Sequence, residues 1–179
     1  KGKTTDGFFT KEDQTKVNLQ VAYTQDNYHA SATFTQNRGF DSWGYFATKD
    51  AKGSEAGDTG NDPTKGDGVA LRAWWRPDET GTTTPSISVG YDVLDFGNTR
   101  TVDKVGEISG YFVGLNWDDM FRPDDKIGFA VGQPMKVTKS NDGSALTEVD
   151  PFLWEDYYSF RPNDSIEVTP AIFGGTDVY

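Results

Sequence analysis

The chain has no cysteine, which excludes disulfides and thiolate metal sites. It has one histidine and two methionines in 179 residues. Aliphatic residues are also scarce. Hydrophobic residues make up 35% of the chain, and twelve Phe, eight Tyr and five Trp supply much of that share. A water-soluble core of this length ordinarily draws on more Leu, Ile and Val, whereas a barrel wall with a polar inner face needs fewer. No run of about 18 apolar residues occurs, so no helix here crosses a membrane. Positive charge is the minority sign, with 17 Lys and Arg against 28 Asp and Glu and a net charge of −11. That balance leaves no basic stripe to neutralise phosphates and excludes nucleic acid as a partner. The chain starts at Lys1 in a loop-like stretch, without an initiator Met or a signal peptide. It therefore reads as a mature fragment.

What the chain does have is alternation. Helical periodicity is almost missing and period-2 patterning recurs. In Lys16–Thr24, Val17, Leu19, Val21 and Tyr23 fall on one side, and Lys16, Asn18, Gln20 and Thr24 on the other. After a short Gln25-Asp26-Asn27 turn, Tyr28, Ala30, Ala32 and Phe34 alternate with His29, Ser31, Thr33 and Thr35. The pair predicts a hairpin. Further strands are predicted at 68–76, 86–94, 107–117, 126–133, 152–161 and 165–173. The fifth is ambiguous in facing: Tyr111, Val113, Leu115 and Trp117 oppose Ile108 and Phe112. Pro170, which cannot donate to a ladder, predicts a bulge in the eighth.

About eight runs of roughly nine to eleven residues match the length of a tilted strand crossing a bilayer. The connections at 25–27, 77–85, 118–125 and 161–164 read as compact. Those at 37–66, 95–105 and 134–150 read as longer, and such one-sided asymmetry is a feature of outer-membrane barrels. Charges mostly share the polar face. Lys16, Arg72, Arg76, Asp92, Glu155 and Glu167 do so, while Asp156 lies with Trp154, Tyr158 and Phe160. Asp156 is expected near an interface or under a neighbouring subunit. Trp75, Trp117, Trp154 and Phe160 near strand ends are candidates for interfacial girdles or, alternatively, for an ordinary aromatic core.

Catalytic chemistry is not evident. Glu155 and Asp156 are adjacent in a strand and point to opposite faces, so they cannot work as a carboxylate pair. The lone His29 sits on a polar face, and no nucleophile set surrounds it in sequence. Asp58, Asn61, Asp62 and Asp67 offer oxygen ligands without EF-hand spacing, and a solvated loop is the simpler reading. Arg72 and Arg76 opposite Asp92, Glu155 and Glu167 would set a transverse field in a pore. Structural ion pairing is the other reading. No cofactor and no metal is expected.

The last third carries a family cue. Glu155, Tyr157, Tyr158 and Phe160, then Asn163-Asp164, then Ile166, Val168, Thr169 and Pro170 form an E-x-Y-Y-x-F strand, a short turn and an I-x-V-T-P strand. This resembles the near-C-terminal strands of cyanobacterial outer-membrane porins of the carbohydrate-porin superfamily, including iron-uptake porins. The opening GFFTKEDQTKVNLQVAYTQDNYHASATFT looks like the same family's loop, strand, D-N turn and strand.

The resemblance implies an antiparallel up-and-down transmembrane β-barrel of about sixteen strands. It implies a homotrimer in the bacterial outer membrane that passes small solutes, sugars or inorganic ions by passive diffusion. Residues 1–179 would then be part of one barrel domain, contributing about eight strands, with the family's N-terminal anchoring domains and closing strand outside it. Tyr179 reads as loop. The expected pore-lining residues are Lys16, Asn18, Gln20, His29, Arg72, Arg76, Asp92, Glu155 and Glu167. The 37–66 loop is the candidate constriction or receptor surface. The competing non-enzymatic reading is a soluble carbohydrate-binding β-sandwich using Trp43, Trp74, Trp75 or Trp154. A glycan-cleaving enzyme is a weaker rival.

Overall fold

The computed structural model describes residues 15–38, 65–96, 105–140 and 150–177. Every regular element among them is a strand. In chain order they are β1 (Thr15–Thr24), β2 (Tyr28–Arg38), β3 (Lys65–Trp75), β4 (Ser86–Asp95), β5 (Val105–Asp118), β6 (Lys126–Ser140), β7 (Phe152–Asn163), β8 (Ile166–Val168) and β9 (Ala171–Thr176). They form one antiparallel up-and-down sheet in the order β1 to β8, with β9 also on β7. The sheet is open, with β1 at one edge and β8 and β9 at the other.

Register carries the two-sided pattern from strand to strand without a flip. Leu19 pairs with Phe34, Phe34 with Val69 and Val69 with Val93. Another row runs Tyr28, Trp75, Ile87, Leu115, Phe129, Asp156, Ile172. A one-residue slip anywhere would have put these side chains on the opposite face. This also resolves β5. Tyr111, Val113, Leu115 and Trp117 join the apolar face, and Ile108 and Phe112 the polar one.

The strands are staggered. The row Tyr23, Ala30, Ala73, Val89, Val113, Val131, Trp154 abuts a turn in β1, which ends at Thr24. In β7 it reaches the opposite end, close to the first residue Phe152. Each strand thus steps along its neighbour, as strands do when they tilt against the line of their turns.

Several boundaries differ from expectation. β5 and β6 run to 14 and 15 residues, because β6 continues through Pro134 to Ser140 rather than stopping at Gln133. Pro134 is accommodated by a bulge: Tyr111 pairs with Gln133 and Ser109 with Lys136, leaving Pro134 and Met135 opposite Gly110. Pro170, by contrast, makes no bulge. Pairs Phe160–Val168 and Tyr157–Ala171 keep one register across it. Its carbonyl accepts a hydrogen bond from Tyr158 N at 3.1 Å. Only the return bond that its missing N–H would donate is lost, which divides the predicted eighth strand into β8 and β9. The shift falls instead between Phe160 and Asn163. Gly174 to Thr176, expected in a loop, lie in β9. The connections 25–27, 119–125 and 164–165 are compact and share one end of the sheet. The alternation is less regular than expected, since 76–85 and 96–104 are of similar length.

A small apolar cluster occupies the polar face toward the other end. Leu94, Phe96 and Ile108 are buried, Ile108 completely, with Met135 and Val137 against them. Large hydrophobics on the opposite face stay exposed, among them Leu19, Val21, Tyr28, Leu71, Val89, Tyr91, Val113 and Ile172.

Candidate functional site

The polar face carries many of the charged and hydrogen-bonding residues inside strands, whereas Asp67, Asp95 and Glu107 share a row on the apolar face at the end away from the compact turns. All nine residues expected to line a pore lie on the polar face. Lys16, Asn18 and Gln20 alternate along β1, where Asn18 accepts a hydrogen bond from Thr35 Oγ1 at 2.7 Å. Toward the middle of the sheet, Arg72 donates to both oxygens of Asp92 at 2.8 and 2.7 Å. Its guanidinium also sits 5.5 Å over the Phe112 ring. Phe112 lies flat across Gly90, where a Cβ would overlap the ring. Glycine is therefore required for this four-residue stack, in which β3, β4 and β5 meet.

At the compact-turn end, His29 stacks on Trp74, centroids 6.0 Å apart and planes 6° from parallel. His29 Nδ1 and Thr24 Oγ1 share a hydrogen bond of 2.8 Å. Arg76 reaches over the Trp74 ring at 5.6 Å and donates twice to the Asp26 carbonyl, at 2.9 and 2.6 Å. Glu167 accepts from Ser159 Oγ at 2.9 Å and Arg161 Nε at 3.2 Å.

Structural ion pairing, the other reading of these charges, is present between neighbouring strands. Arg72 and Asp92 neutralise one another on neighbouring strands, Arg76 turns to a backbone carbonyl, and Glu167 takes Arg161. Local pairing is stronger than an across-face arrangement because Coulomb attraction falls with distance and water screens what remains. Arg72 and Asp92 are both more than a third exposed, so the pair contributes no more than about 1 kcal/mol to stability. Its effect is to hold two side chains in place.

Glu155 and Asp156 point to opposite faces, as expected. Asp156 stands in the apolar row between Phe129 and Ile172. Trp74 is on the polar face while Trp75 and Trp154 are on the apolar one, so these rings share no platform. Trp43, Asp58, Asn61, Asp62 and most of the 37–66 connection lie outside the described residues, as does Tyr179. Asp67 is in β3, and no group of three or more metal-ligating residues occurs among the described residues.

Aromatics gather on the apolar face at the compact-turn end. Tyr23 and Tyr28 are 5.9 Å apart, and Phe121, Tyr158 and Phe160 form a chain with 6.2 and 5.4 Å spacings. Trp75 and Trp117 lie at the same end, and Trp117 Nε1 donates to the Thr83 carbonyl at 3.0 Å. Trp154 is near the opposite end. The 119–125 turn is built on aspartates. Asp119 and Asp124 hold positive φ of 59° and 64°, and Asp125, 1% exposed, accepts from Phe121 N, Arg122 N and the Tyr158 hydroxyl, each at 3.1 Å.

Asp119 accepts hydrogen bonds from the Thr80 side chain and from Asp124 N, which together hold its carboxyl below the usual range. A lowered folded-state pKa means the stabilisation is present above the ordinary aspartate value of about 3.9 and is lost as pH falls through the lower folded value. Titration of the Asp119 carboxyl by NMR is expected to give a midpoint below about 3.9. A midpoint at or above that value would contradict the assignment.

Phe112 was visible in sequence only as half of an ambiguous facing, and Phe173, Ala130 and Gly132 on the polar face were not singled out. Glycine or alanine at alternate positions was a visible signal, but its aromatic partner sits on another strand and needs the register to be identified. Comparison with family models, curated proteins and solved structures finds no match to this chain.

Proposed function

We propose that this sheet is part of the wall of an outer-membrane β-barrel through which small hydrophilic solutes or ions diffuse passively. The observation that carries the reading is the apolar face: aligned from strand to strand, rich in large hydrophobics and exposed, with its charges other than Asp156 confined to the end away from the compact turns. Each such side chain left in water forgoes about 1.5–3 kcal/mol of burial. A face of this extent therefore needs lipid or another apolar layer against it. The strand stagger and the aromatic belt at the compact-turn end favour lipid, because tilted strands and interfacial girdles are what a bilayer demands. A carbohydrate-binding sandwich would need a second sheet over this face and a shared aromatic platform.

In this reading the polar face lines water, further strands complete the barrel from the open edges, and Asp156 marks where another subunit of a homotrimer covers the wall. Planar-bilayer recording from the full-length protein tests it. Stepwise conductance is expected, with reversal potentials favouring cations over chloride in keeping with the net charge of −11. Folded protein that produces no channels would refute the proposal, and chloride preference would refute its electrostatic part.

A further inference from the structure

A cleft of about 670 Å³ opens across β4, β5, β6, β7 and β9. Its size is that of a small-molecule site. Small residues create it. On β6, Ala130 stands between Gly114 and Glu155, and Gly132 between Phe112 and Leu153, so the floor has almost no side-chain bulk. Phe112 and Leu153 rise on either side. Phe173, directly across from Glu155 on β9, is 80% exposed.

The cleft holds two carboxylates in different states. Asp92 is taken by both hydrogen bonds from Arg72. Glu155 is exposed and makes no hydrogen bond or ion pair among the described residues. An uncommitted negative charge therefore lies beside an uncovered aromatic ring in a mostly apolar recess. An anion would be repelled there. A hard metal ion would lack its six to eight oxygen ligands. A polyol would leave many hydroxyls without partners, at a desolvation cost for each. An ammonium carried on an apolar body gains from all three features: the carboxylate, the face of Phe173 and the apolar walls.

We infer that this cleft binds a monovalent organic cation with an apolar or aromatic body, Glu155 supplying the counter-charge and Phe173 the stacking surface. The site goes beyond passive diffusion, because it would retain one class of solute. It does not depend on conduction.

The test is equilibrium binding to the folded full-length protein in zwitterionic nanodiscs, read by saturation-transfer NMR. Benzyltrimethylammonium is the probe, with benzyl alcohol and benzoate as neutral and anionic comparators. Benzyltrimethylammonium is expected to bind about tenfold more tightly than benzyl alcohol, and benzoate not at all. Glu155→Gln should erase the preference for the cation. Phe173→Ala should weaken cation binding about fivefold, and Ala130→Phe should abolish binding by filling the floor. An unchanged affinity in Glu155→Gln, or equal binding of benzoate, overturns the inference. If Ala130→Phe fails to fold, the near-isosteric Glu155→Gln still decides it. Protein that binds the cation without conducting would refute the proposed function and leave this site standing; a conducting protein that ignores the cation would do the reverse.

Discussion

Leu19→Arg is expected to cost about 2–4 kcal/mol of folding free energy in a bilayer, while Gln20→Arg changes stability by less than about 0.5 kcal/mol. The two residues are neighbours in β1 and both are exposed, Leu19 by 63%. In water, two such positions would tolerate an arginine about equally. They differ only in the face to which alternation assigns them: Leu19 shares its row with Phe34 and Val69, and Gln20 with Thr33 and Ala70. Tyr23→Arg supplies the depth control. Tyr23 is on the same face but next to the compact turn, where the cost of a lipid-facing arginine falls to about 0–1 kcal/mol. A packed protein layer over this face would penalise Leu19→Arg without the same dependence on membrane depth. Urea titrations of the full-length protein folded into lipid vesicles measure all three. Equal costs for Leu19→Arg and Gln20→Arg would remove the basis for a lipid-facing wall.

The strands were legible because period-2 patterning is a local property. Val17 to Tyr23 already shows which side chains share a face, and no partner is needed to see it. Tyr111 to Trp117 was harder, since both faces of that run carry large apolar groups. Only pairing with Val89 and Val131 shows which set joins the exposed face. The two prolines inverted expectation for a similar reason. Whether a missing N–H disturbs a ladder depends on the partner strand. Opposite Gly110 the chain can bulge at Pro134, because glycine leaves room: a Cβ there would come within 2.9 Å of the Gln133 carbonyl. Opposite Tyr158, Pro170 loses one bond and keeps register.

The polar face was legible as a set and not as an arrangement. Alternation grouped Arg72, Asp92, Glu155 and Glu167, but the distances between them belong to the register. So does their division into the bonded pair Arg72–Asp92 and the uncommitted Glu155. Signs and spacings in sequence carry no information about which strands become neighbours.

Gly128→Ala reads that cross-strand information most directly, and its sign is expected to depend on one residue two strands from Asn116. Tyr157 on β7, Gly128 on β6 and Asn116 on β5 occupy one row. The Tyr157 ring crosses over Gly128, and its hydroxyl donates to Asn116 Oδ1 at 2.8 Å. A Cβ on Gly128 would overlap the ring. The ring must then leave its place, losing the hydrogen bond and its packing over the strand. Overpacking of this kind costs about 1–3 kcal/mol, and the lost hydrogen bond adds about 0.5–1.5 kcal/mol. Gly128→Ala is therefore expected to destabilise the protein by about 2–4 kcal/mol. In a Tyr157→Ala background the obstacle is gone. Alanine then restricts the unfolded chain more than glycine does, and the same substitution becomes neutral or stabilising by up to about 1 kcal/mol. The double-mutant cycle should thus show a coupling of at least about 2 kcal/mol between residues 128 and 157. Independent, additive effects would mean that the ring does not lie across the glycine. A coupling of the expected size would fix the register of β5, β6 and β7 on the polar face, and with it the strands that frame Glu155.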